Sequence, residues 1–237
     1  MRLTAIIPHF YWERTGNLRT IVDSLRSGTV VPEEIIVWNN ERDPVTIAGA
    51  FVVQSPRNIG AKARLLAAVM ARGERVLFLD NDIAVRRRTV ENLLSWSCRH
   101  WERPTVVTLE GRERPFSGAP YSRWPKVYGR GLREPAPVFL SLGRGEMLRR
   151  RDLLAVLPGF PFEDSTVMDD LWLSECFFRH EMSVVVVPCV PGESDLEDLP
   201  MGGVGLCRQA TFNAERTRVA LTIACDEEAL RAESESA

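Results

Sequence analysis

Arg75-Val76-Leu77-Phe78-Leu79-Asp80-Asn81-Asp82-Ile83-Ala84 is a short apolar run that ends in two carboxylates one residue apart. The run is too brief for a helix and fits a buried strand. Residues two apart on a strand share a face, so Asp80 and Asp82 would leave the strand tip pointing the same way. Two acids there are costly unless they serve a partner, and a hard divalent cation with oxygen ligands is the usual one. A plainer reading has one acid capping the next helix while Asn81 makes the turn. The pair alone does not choose between these, so the flanking chain has to.

Before the run, Leu3-Thr4-Ala5-Ile6-Ile7-Pro8 reads as a strand buried on both faces and stopped by Pro8. His9 to Gly16 is a loop, and Leu18, Ile21, Val22 and Leu25 recur at helical spacing up to Ser27-Gly28. Glu34 to Trp38 is a second strand ending at Asn39-Asn40, and Phe51-Val52-Val53 a third. Asn58-Ile59-Gly60 opens a helix with a stripe of Leu65, Leu66, Val69 and Met70, stopped at Gly73. After the run come a helix carrying Val90, Leu93 and Leu94 and a strand over Thr105–Leu109. Strand and helix alternate, which is the pattern of an α/β parallel sheet with helices on both faces.

The second half is less regular. Glu110 to Pro137 has no period and reads as a binding loop or a disordered segment. Val138 to Leu142 returns to strand, and Gly143-Arg144-Gly145 turns into Glu146–Arg151, whose three arginines read as a solvated helix face in preference to a short anion-facing patch. An acidic stretch from Glu163 to Asp170 precedes a helix over about Leu171–His180 and a last strand over Val184–Val187. Pro191 to Gly205 reads as a glycine-rich flap, Ala214 to Cys225 as a final helix, and Asp226 to Ala237 as a frayed acidic tail. With no internal repeat and no linker, residues 1–109 and 110–225 read as two halves of a single domain.

The totals agree. Of 237 residues, 45% are apolar and 26% charged, enough to bury a sizeable core. A net charge of −2 lacks the basic excess that marks nucleic-acid binders. No apolar run is long enough to span a bilayer, and Met1-Arg2-Leu3-Thr4 leads into a strand rather than a signal peptide, so a cytoplasmic protein is expected. The five cysteines are scattered without Cys-x-x-Cys spacing, which points to neither a disulfide framework nor zinc. Oligomeric state is not legible.

In a doubly wound sheet, ligands bind beyond the carboxyl ends of the strands. Three polar loops lie there: Pro8–Gly16, Asn39-Asn40 and Asp80-Asn81-Asp82. No glycine-rich dinucleotide or phosphate-loop fingerprint is present, so a site built from acids would reach phosphate through a cation. Leu79-Asp80-Asn81-Asp82, preceded by Arg57-Asn58-Ile59-Gly60 and Arg64, resembles the nucleotide-sugar half of GT-A glycosyltransferases, especially family 2. Asp169-Asp170-Leu171-Trp172, then a helix, then Val184 to Pro188, resembles that family's second signature, with Asp169 where Glu is usual. Val37-Trp38-Asn39-Asn40 also resembles the exostosin-type transferases, which retain anomeric configuration.

The resemblance implies a GT-A fold and transfer of a sugar from a nucleoside-diphosphate sugar, with UDP favoured and GDP or dTDP open, to a small-molecule or glycan hydroxyl. It implies Asp82 as ligand to Mn²⁺ or Mg²⁺, Asp80 at the ribose, and Arg14 with Asn39 or Asn40 at the base, beside Asn58 and Arg64. Pro8 and Asn81 belong to the same donor-binding loops. Leu142-Gly143 would lie near the donor sugar and Arg208 over the diphosphate. Asp170 would face the reacting sugar, as general base in an inverting enzyme or as stabiliser or nucleophile in a retaining one, with Asp169 supporting it and Glu163-Asp164 as fallback. Asn39-Asn40 as a plain turn, Arg14 and Arg64 as surface cations, and Asp169 as a helix cap are the bland counterparts. The rival functions are a haloacid-type phosphatase and a non-catalytic nucleotide-sugar-binding subunit.

Overall fold

A computed structural model of the chain describes residues 1–114, 119–163, 168–201 and 210–235, with side chains of the last stretch described through residue 223. The chain runs β1 (Leu3–His9), α1 (Thr15–Arg26), β2 (Glu34–Asn39), β3 (Phe51–Gln54), α2 (Ala63–Met70), β4 (Arg75–Phe78), β5 (Ile83–Val85) and α3 (Thr89–Ser97). It continues with β6 (Thr105–Thr108), β7 (Glu110–Arg112), β8 (Lys126–Tyr128), β9 (Ala136–Val138), β10 (Leu140–Ser141), β11 (Glu146–Arg149) and α4 (Arg150–Val156). The last elements are α5 (Asp169–Arg179), β12 (Ser183–Val186), β13 (Leu196–Asp198) and α6 (Ala210–Glu235).

An eight-stranded sheet in the order β3-β2-β1-β4-β11-β6-β12-β9 forms the centre. Strands β1 to β4 pair parallel with one another, as β6 does with β12, whereas β11 and the edge strand β9 run antiparallel. The sheet is therefore the mostly parallel α/β type expected, with two antiparallel insertions. Period-two alternation splits each strand between two cores. Ala5, Ile7, Leu77 and Leu79 pack with α1 and α3 on one face, and Ile6, Val76 and Phe78 with α2, α4 and α5 on the other.

Three expectations change. Glu146–Arg149 is a central strand rather than part of a helix face, and Arg150 starts α4. Arg150 is half-buried, whereas Arg151 is 77% exposed, as a solvated face requires. Arg150 donates from Nε to the Ala68 carbonyl at 2.9 Å and from Nη2 to the Val69 carbonyl at 2.7 Å, placing a cation on the exposed carbonyls ending α2. The irregular stretch after Glu110 contains short strands, with β7 pairing β8 and β10 in a separate three-stranded sheet. Likewise β13, inside the expected flap, pairs antiparallel with β5. The Leu199 amide reaches the Asp82 carbonyl at 2.7 Å, so the segment after the acidic pair is stitched down. Helix α6 packs through Val219, Ala220 and Ile223 against Tyr121, Trp124 and Leu171. Among the described residues, no helix is long and apolar enough to cross a membrane.

Candidate active site

The carboxyl ends of β1, β2 and β4 reach one edge of the sheet, where α/β proteins hold ligands. Because β11 runs the other way, it delivers its first residue there: Glu146 sits opposite Phe78. A cleft opens along this edge. One lobe, of about 180 Å³, is lined by Pro8, Arg14, Arg64, Asp80, Asn81 and Asp82. Leu142, Asp169 and Asp170 close its other side. A second lobe, of about 440 Å³, shares Asp80, Asp82 and Leu142 with the first and extends over β7 and β8. Nine of the residues singled out in sequence therefore meet in one place, drawn from five separate segments.

Asn81 spends its side chain on the protein. Its Nδ2 donates to the Phe10 carbonyl at 2.8 Å, its Oδ1 accepts from Arg14 Nη1 at 2.8 Å, and its carbonyl accepts from Asn17 at 3.0 Å. Asn81 thus locks the turn between the two acids against the loop after β1. Arg14 in turn lies 3.2 Å from the Asp82 carboxylate and donates to the Met201 carbonyl at 2.6 Å. It is a buried residue, not a surface cation.

His9 completes this corner. Its Nδ1 lies 3.1 Å from Asn81 Nδ2 and its Nε2 3.2 Å from Thr15 Oγ1. Since Nδ2 of Asn81 is a donor, Nδ1 of His9 accepts and the ring is neutral. Burial first, and then the Arg14 charge, lower its pKa to about 4 from 6.5. A folded-state value below the unfolded one leaves stability intact above pH 6.5 and removes it as pH falls from there towards 4. His9 is expected to contribute about 3 kcal/mol of acid destabilisation below that window. Urea unfolding at pH 7 and pH 4.5 reads the loss, and His9→Gln should flatten it.

Arg64 is the centre of the opposite wall. Its Nη2 meets Asp169 Oδ2 at 2.5 Å, with both side chains nearly inaccessible. Burial opposes its charge, but Asp169, Glu146, Asp80 and Asp170 together raise its pKa above the ordinary arginine value. The acids respond in kind. Burial raises Asp169 and Glu146, with Arg64 pulling both back. Asp80 is pushed up to about 7, first by burial and then by the neighbouring Asp82 charge, against the opposing pull of Arg64 and Arg144. Removing one member of such a set leaves uncompensated buried charge. Arg64→Ala is therefore expected to destabilise the fold by about 3–5 kcal/mol, read by denaturant titration.

Asp80 and Asp82 are the donor atoms available to a cation. Among the described residues, no group of three or more His, Cys, Asp or Glu side chains gathers around a common point. Two carboxylates that crowd each other suit a divalent ion whose remaining ligands are phosphate oxygens and water, the usual arrangement for Mg²⁺ on a diphosphate. The residues fit such an ion, with the Asp82 side chain 19% exposed and lining the cleft.

Asp170 opens α5. Its Oδ1 accepts from the Leu171 amide at 3.0 Å, and its Oδ2 is in an ion pair with Arg216 of α6. Arg216 also stacks 4.4 Å from the Tyr121 ring centre and, with Phe212, lines the cleft. Sequence reading missed Arg216. A lone arginine on a helix has no local signature, and only α6 folding back brings it to Asp170.

Other expected residues are elsewhere. Asn39 is fully buried and bonds the Asp43 carbonyl at 2.8 Å and Gln54 Oε1 at 2.7 Å. Asn40 bridges the Gly60 carbonyl and the Ile59 amide, both at 3.2 Å, and Asn58 makes a local turn to the Gly60 amide at 2.8 Å. All three shape the loops behind the cleft and do not line it. Gly143 lies behind Leu142 with φ +69 and abuts the Arg64 guanidinium. Glu163 is exposed and outside the cleft lining. Arg208, Asp164 and the flap residues 202–205 lie outside the described residues.

No family model matches the sequence, and no curated protein does. Solved structures do match the fold. A crystal structure of GalNAc-T7 with UDP, GalNAc and Mn²⁺ superposes with a TM-score of 0.65 at 14% identity, covering 92% of this chain and 48% of that one. S. aureus TarS 1-349 in complex with UDP-GlcNAc gives 0.56 at 18% identity, covering 88% and 61%. The same TarS fragment without the donor named gives 0.52 at 22% identity, covering 78% and 58%. This chain thus spans about half to three fifths of the length of the structures it matches. The fold is that of the GT-A glycosyltransferases, as the resemblance implied.

Proposed function

We propose that the chain is a metal-dependent glycosyltransferase that moves a sugar from a nucleoside-diphosphate donor, with UDP preferred, to a hydroxyl acceptor. The observation that carries this reading is the meeting of Asp80, Asp82, Arg64, Asp169 and Asp170 in one cleft at the carboxyl edge of the sheet. Residues 1–109 would hold the donor and 110–225 the acceptor. Neighbours of this fold bind UDP with Mn²⁺ and UDP-GlcNAc, which supports the choice of donor.

Each of the chain's own groups then has a role. Arg14 aligns the Asp82 carboxylate, and Asp80 lies beside it to take the ribose. A Mn²⁺ or Mg²⁺ bound at Asp82 would supply positive charge against the leaving diphosphate. Arg64 fixes Asp169, which begins the helix that presents Asp170. Asp170, held by the Leu171 amide and Arg216, takes the proton from the acceptor hydroxyl as the sugar–phosphate bond breaks. The test is incubation with UDP-, GDP- and dTDP-sugars and Mn²⁺. Metal-dependent release of nucleoside diphosphate supports the transferase, release of inorganic phosphate supports a phosphatase, and donor binding without release supports a non-catalytic module.

A further inference from the structure

The second lobe of the cleft is built over the β7–β8 pair, and its four acids and four cations are unevenly paired. Arg112 and Lys126 face each other directly across this antiparallel pair, so the two cations lie side by side on one face. Like charges directly opposite destabilise a sheet unless something sits between them. The other cations of the lobe have acids: Arg144 is paired with Glu110 at 3.1 Å and also with Asp198, and Arg216 with Asp170. Arg112 and Lys126 have no ion pair with any described residue. Glu110 feels Lys126 only as a weaker contribution behind Arg144.

Arg112 is also pre-set. It donates to the Trp124 carbonyl at 2.7 Å, its guanidinium lies 4.5 Å from the Tyr121 ring centre, and its Nε is buried with no acceptor. Two guanidiniums, those of Arg112 and Arg216, therefore share one ring. Carbonyls and a ring orient a cation without neutralising it. Lys126 is exposed at the rim, where its charge reaches whatever enters. Tyr128, two residues on along the same strand, is 44% exposed and shares that face.

We propose that this lobe is the acceptor subsite and that it selects an acceptor bearing an anionic group, phosphate or carboxylate, held between Arg112 and Lys126. Its position beside the reacting sugar rests on the glycosyltransferase reading, whereas the anion site stands on the lobe's own charges. The anion docks at the rim and leaves a hydroxyl of the same molecule to extend past Leu142 towards Asp170, since Leu142 and Arg216 belong to both lobes.

Calorimetric titration of the full chain, with and without UDP and Mn²⁺, tests it using glucose, glucose 6-phosphate and glucuronate as probes. At least one anionic sugar is expected to bind about tenfold tighter than glucose, the size of one charge-assisted contact. Phosphate preferred over carboxylate would identify the group, and the reverse order would identify the other. Lys126→Glu, at an exposed edge position, should abolish the preference, and Lys126→Arg should retain it. Equal affinity for all three sugars, or an undiminished preference in Lys126→Glu, overturns the proposal. The donor reading fails separately, by absence of UDP binding or release, while the arm without UDP still reads the anion site.

Discussion

Asp82→Asn is expected to lower kcat/KM for nucleoside diphosphate release by about 10³, the scale of losing one electrostatic anchor at a developing charge. The substitution keeps shape and removes charge. Arg14 remains held by Asn81 and the Met201 carbonyl, and the Asp82 backbone carbonyl keeps its bond from Leu199, so the corner should stay folded. Asp80 should behave differently afterwards. With the neighbouring negative charge gone, one of the causes that raises its pKa disappears. The decisive measurement is thermal stabilisation by UDP with and without Mn²⁺. Wild type should gain from the metal and Asp82→Asn should not; an unchanged metal response or unchanged turnover would remove Asp82 from the site.

Asp170→Asn should separate binding from chemistry. The amide still accepts the Leu171 N–H and still fills the same space, but it cannot take a proton from a hydroxyl, and it leaves Arg216 without its carboxylate, a stability cost that denaturant titration reads separately from kcat. Loss of a general base typically lowers turnover by about 10²–10⁴. The donor dissociation constant should remain near the wild-type value, because Asp82 and Arg14 lie on the other wall. A fall in kcat with an unchanged donor affinity is the expected signature, and normal kcat would refute the role. Asp169→Asn makes the useful contrast. It strips Arg64 of its closest acid, so its main effect should fall on stability.

The donor half was readable because its signals are local. Ala5 to Pro8 and Val76 to Leu79 are unbroken apolar runs, and the sheet puts both in its centre with the acids at the edge. Asp80, Asp82, Asp169 and Asp170 are each visible next to an element boundary, and geometry then gathers them. Glu146 was obscured for a physical reason. A carboxylate and arginines around two apolar residues read as a solvated face, but Met147 and Leu148 are fully buried and carry the strand into the middle of the sheet. Asn39 and Asn40 follow the turn alternative: polar residues after a strand suggest ligand contact, and here they satisfy buried loop groups. Arg216 required a tertiary contact across 46 residues, which no local pattern encodes.

Gly143 gives the site a steric gauge. A Cβ built there would fall 2.1 Å from Arg64 Nη1, in a backbone conformation at φ +69 that side chains rarely adopt. The guanidinium therefore occupies the volume that every other residue type would fill. A position with no side chain, on a loop outside both acidic motifs, thus determines whether a cation can stand among Asp80, Glu146, Asp169 and Asp170. A replacement would have to shift the end of the arginine or strain the turn, so the seat of the cleft's central cation is kept clear by the absence of a single methyl group.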